Sequence, residues 1–67
     1  MASDALDEKT GFLSGHAARY VLIDEDGLPW LLDGSVRFGR FKGGFVTVRG
    51  IAYAECRFTV IEIADAV

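Results

Sequence analysis

The sequence predicts an all-β domain: five strands curled into a small barrel, with a short helical or irregular plug between the third and fourth. Three observations predict it. β-Branched and aromatic residues gather in runs of five to ten from Gly11 onward. Glycine interrupts them at short intervals, and no sustained i, i+3, i+4, i+7 apolar spacing marks a long helix.

Residues 1–10 are polar and weakly patterned, giving either a helical turn around Ala5–Lys9 or a mobile lead into a domain spanning 11–67. The first strand is GFLSG (11–15). The second is RYVLID (19–24), closed by Asp-Glu-Asp-Gly at 24–27, where Gly27 supplies a positive φ. The return strand LPWLLD (28–33) tolerates Pro29 near its start. A connection, GSVRFGRFKGG (34–44), leads to FVTVRGIAYA (45–54) and CRFTVIEIA (56–64), two long strands joined by a tight turn near Ala54–Glu55. Val46 and Val48 alternate against Thr47 and Arg49, and Phe58 and Val60 against Arg57 and Thr59. After Val60 the alternation slips, which a β-bulge explains.

The chain has 67 residues, room for one domain. A chain of this size buries only about 60% of its unfolded surface. Cys56 is the lone cysteine and His16 the lone histidine, so neither a disulfide nor a metal cage supplements the core, and no cofactor is expected. Hydrophobic content of 51% and charged content of 25% set the chain apart from disordered sequences. MASDALDEKTG lacks the features of a signal peptide. Apolar runs such as YVLI are far short of a membrane span. A cytoplasmic protein with no membrane role is the expectation.

Three strands, a linker, then two strands is the element order of the OB-fold. The residues Asp26-Gly27, Trp30, Leu32-Asp33-Gly34, Gly44, Val46, Val48, Gly50, Val60 and Ile63 carry a pattern that resembles small bacterial OB-like barrel proteins. The resemblance covers residues 11–64 and implies a fold without transferring any catalytic residue. Small SH3-like barrels satisfy much of the same pattern.

Net charge is −3, yet its distribution is uneven. Residues 1–33 carry seven acids against two bases, and residues 34–67 five bases against three acids. The stretch VRFGRFKGGFVTVRG (36–50) holds four cations, three phenylalanines and no carboxylate. Aromatic faces stack bases and neighbouring cations neutralise phosphate. Arg37, Arg40, Lys42, Arg49, Arg57 and Tyr53 are therefore the candidate contacts for a single-stranded nucleic acid. A barrel end must also be plugged, and Phe38 and Phe41, three apart on a short turn, suit that task, with at least two of Phe38, Phe41 and Phe45 expected in the core. The acidic second and third strands count against a phosphate-binding face. Trp30 is expected to anchor the core with its ring N–H on a carbonyl.

Ser14 and His16 lie on one strand face but lack an acid partner or oxyanion donor in sequence, and no other catalytic pattern is present. The chain does not read as an enzyme. Leu31, Ile51, Tyr53, Ile61, Ile63 and Val67 are surplus apolar residues for a barrel with one interior. The leading expectation is a non-enzymatic interaction module that associates with itself or docks to a protein partner. Nucleic-acid binding is the alternative.

Overall fold

The structure is a computed structural model that describes residues 6–16 and 19–66. Alternating apolar positions require a surface that buries one face, and a single sheet of five strands meets this by closing on itself. Strands β1 (Asp7–His16), β2 (Arg19–Asp24), β3 (Pro29–Gly34), β4 (Phe45–Ala54) and β5 (Arg57–Asp65) occur in that chain order, with a 3₁₀ turn at Phe38–Arg40 between β3 and β4. In space the order is β1-β2-β3-β5-β4, and β4 returns to β1. All pairings are antiparallel except β3 with β5. Among the described residues no helix is long and apolar enough to cross a membrane.

The bounds of β2 and β4 coincide with the expected ones, whereas β1 is longer. Asp7–Thr10 is strand, not a helical turn or a mobile lead; Ala5 lies outside the described residues. The reason is pairing demand: β1 bonds to β4 through Asp7–Phe12 and to β2 through Gly11–His16. One strand serves two neighbours, so it must bend where they exchange. Gly11 sits there, buried, and a Cβ would fall 2.1 Å from the Ile23 carbonyl oxygen. Residues 7–10 hid their strand character because they lie at the rim, where half the strand meets no core.

Leu13, Leu22, Leu32, Val46, Val48, Phe58 and Val60 fill the interior, drawn from all five strands, and Phe38 enters from one end. Burial of each is worth roughly 1.5–3 kcal/mol. The slip after Val60 is a register shift: Arg49 faces Glu62 while Gly50 faces Val60, leaving Ile61 unmatched. A Cβ on Gly50 would lie 1.8 Å from the Thr59 carbonyl oxygen, so the sheet curls tightly only because glycine stands there.

Two different devices close the ends. At one, Phe38 stacks on Tyr20 with ring centroids 5.1 Å apart, and Phe41 packs half-buried against the core. Backbone bonds from Gly43 N–H to the Leu13 carbonyl (2.8 Å) and from Leu13 N–H to the Gly44 carbonyl (2.9 Å) tie this plug to β1. At the other end, Asp24 Oδ1 accepts from the N–H groups of Asp26 and Leu28, each at 2.9 Å. Its Oδ2 accepts from the Trp30 ring N–H at 2.9 Å, so that donor reaches a carboxylate rather than a carbonyl. The Lys9 ammonium sits over the Trp30 ring, 4.1 Å from its centroid. Phe38 and Phe41 thus form the expected plug. Phe45 does not: it is out of phase with Val46 and Val48 and points outward.

Candidate functional site

Alternation along each strand gives the closed sheet an outer face, and the candidate residues divide over it. Leu31, Ile51, Tyr53 and Ile61 are outward; Ile51 and Tyr53 are each 51% exposed and Ile61 49%. Ile63 differs from these four in its placement. The unmatched Ile61 shifts the alternation by one, so Ile63 turns inward beside Val48 and packs on the core. Val67 lies outside the described residues.

Tyr53 belongs to a polar cluster. Its hydroxyl donates to Asp33 Oδ2 at 2.6 Å, and the Thr59 hydroxyl donates to Asp33 Oδ1 at 2.7 Å. These bonds, Tyr53 first, with the nearby Arg57 charge, hold the Asp33 carboxyl below the usual carboxylate range. Tyr53 is therefore fastened to an ionised acid, with Arg57 nearby. Arg49 donates to Glu62 at 3.2 Å, the one ion pair among the described residues. Arg37, Arg40 and Lys42 are exposed, but they lie on the plug connection.

The six expected nucleic-acid contacts thus fall into three groups, and two of those groups carry a carboxylate. A phosphate chain running through all six would meet Asp33 and Glu62.

Sequence reasoning missed a different feature. Phe12 and Phe45 pair across β1 and β4, 40% and 52% exposed, with ring centroids 6.2 Å apart in an edge-to-face contact. The row continues through Ile23 on β2 to Pro29 on β3, with Val21 and Leu31 as the adjoining outward pair. Parity carried the signal: Phe12 alternates against Leu13, and Phe45 against Val46.

Ser14 is exposed on β1; the His16 side chain is outside the described residues. Cys56 is exposed in the β4–β5 turn with φ 57, not packed at a strand start. Its carbonyl accepts the Leu31 N–H at 2.8 Å, so this residue serves the backbone rather than the core. Among the described residues no group of three or more His, Cys, Asp or Glu could hold a metal ion. Compared with known proteins, the chain matches no family model, no curated protein and no solved structure.

Proposed function

We propose that this chain is a non-enzymatic interaction module, an OB-like barrel that docks to protein, a second copy of itself in the first instance, through the outer face around Phe12 and Phe45. The observation that supports this reading is the placement of those two rings. A chain short of core has five phenylalanines and leaves two of them outside, in contact with each other. Each forgoes part of the roughly 1.5–3 kcal/mol that full burial yields, unless a partner covers it. A standard interface needs roughly 800 Å² per partner, under a fifth of the 4504 Å² this surface offers.

The reading is tested by sedimentation across micromolar concentrations. Wild type is expected to associate, and Phe12→Ser with Phe45→Ser to remain monomeric with its thermal midpoint kept. A wild type that stays monomeric at high micromolar concentration ends the self-docking claim. If that chain instead binds single-stranded oligonucleotides at about 50 mM salt, where phosphate contacts are strongest, the nucleic-acid reading replaces it.

A further inference from the structure

The outer face of β1, β4 and β5 carries its side chains in rows that cross the strands. On the outward parity of β1 and β4, Phe12 pairs with Phe45, Thr10 with Thr47 and Glu8 with Arg49. β5 extends the latter rows, with Ala64 beside Thr47 and Glu62 beside Arg49. Strand rise sets neighbouring rows roughly 7 Å apart, and the aromatic and ionic rows roughly 13 Å apart. Past the aromatic row the face holds a groove of about 570 Å³, lined by Thr47, Ala64, Glu8, Arg49, Glu62 and the bulged Ile61. Neither phenylalanine lines it. In the row between, the hydroxyls of Thr10 and Thr47 bond each other at 2.9 Å, so a dry partner can cover them without stranding a donor.

We propose that this groove receives Phe12 and Phe45 of a second copy, the two chains packing as an isologous dimer whose two-fold axis lies across the strands, over the Thr10–Thr47 row. The inference rests on the self-docking reading and says what the two rings enter. Such an axis turns each face end for end, so the aromatic row of either chain meets the ionic row of the other. The Phe45 ring lies on the partner's Arg49, a cation on an aromatic face, whose guanidinium is already held from the side by Glu62. Phe12 meets the partner's Glu8, which an aromatic edge approaches favourably.

Charge selects this packing over the other two-fold arrangement of the same face. An axis along β4 would lay ring row on ring row and leave both grooves without a ring. It would also set Arg49 against the partner's Arg49, and Glu8 against the partner's Glu62. Like charges so placed oppose association. The axis across the strands keeps the two ionic rows roughly 13 Å apart, at opposite rims of the contact.

The test pairs a charge variant with cross-linking, both in the full chain. Arg49→Gln removes the cation under the ring, and its exposed position leaves the thermal midpoint in place. It should weaken self-association about tenfold, since two such contacts are lost per dimer. Unchanged or tighter association overturns the proposal, and tighter association assigns the axis along β4. Phe45→Cys and Arg49→Cys are then made as separate chains, each with Cys56→Ser to remove the native thiol. A short bismaleimide, matched to the roughly 10 Å between stacked sheets, should join the two chains in a mixture and neither chain to itself. The second Phe45–Arg49 contact of that mixed dimer is intact. Cross-linking of each chain to itself overturns the proposal. So does failure of the mixture to cross-link while wild type still associates, which leaves the self-docking reading standing. A wild type that stays monomeric ends both.

Discussion

The two ends of the closed sheet solve one problem with opposite chemistry. The plug end is sealed by Phe38, Tyr20 and Phe41, apolar rings braced by backbone bonds to Leu13. The turn end is sealed by Trp30, held by the Asp24 carboxylate from one side and covered by Lys9 from another. The first closure is hydrophobic and indifferent to protonation. The second depends on an ionised acid, so pH can loosen it. The same division orders the surface charge: Asp7, Glu8, Glu25 and Asp26 surround the turn end, and Arg37, Arg40 and Lys42 the plug. A single short chain thus carries a permanent seal and a titratable one.

The comparison breaks most visibly at Phe38. Phe38→Ala removes the one ring that enters the core from outside the strands and should cost about 3 kcal/mol. At about 4–8 °C per kcal/mol for a domain of this size, the thermal midpoint should fall by more than about 10 °C. The loss should be equal at neutral and at acidic pH. A small loss would show that Phe41 alone closes the end.

Acid should act on the other end. Bonds from Leu28 N–H first and the Trp30 ring second hold the Asp24 carboxyl below its ordinary value. Asp33 is lowered likewise, by Tyr53 first. Because the folded value lies below the unfolded one, the stabilisation is complete above about pH 4 and is lost as pH falls through the folded value. Denaturant midpoints measured down that range should decline for wild type. The decline should be shallower for Asp24→Asn and shallower still for Asp24→Asn/Asp33→Asn. An unchanged slope in the double variant would deny both carboxylates this part.

Much of this architecture was legible in the sequence, and the exceptions share a cause. β2 and β4 announced themselves because both carry clean alternation against a core. Residues 7–10 did not, since rim positions pair their backbone without burying side chains, and backbone pairing leaves no mark on composition. The slip after Val60 was visible, but its consequence for Ile63 needed the number of residues in the bulge, which no local pattern supplies. Which of the three phenylalanines stays outside was left open: Phe45 stands beside the plug phenylalanines in sequence but obeys the parity of β4. Parity also exposes Phe12, so the outer aromatic pair could have been found by counting alternation before hydrophobicity.

The smallest effect separates the two seals most cleanly. Lys9 lies on the inner parity of β1, where an aliphatic residue would be the simple choice, yet its ammonium rests 4.1 Å from the Trp30 centroid. Such a contact is worth about 0.5–1 kcal/mol at a partly exposed site. Lys9→Met keeps the stem that covers the ring and removes the charge, so a loss of that size in a denaturant midpoint measures the cation alone. It also removes a charge that helps hold Asp24 ionised, so the acid decline should be slightly smaller and end at slightly higher pH. Combined with Phe38→Ala, the two losses should add within about 0.5 kcal/mol, since distant sites without shared partners act independently. A larger coupling would mean that the ends communicate through the core between them, and the two seals would then be one.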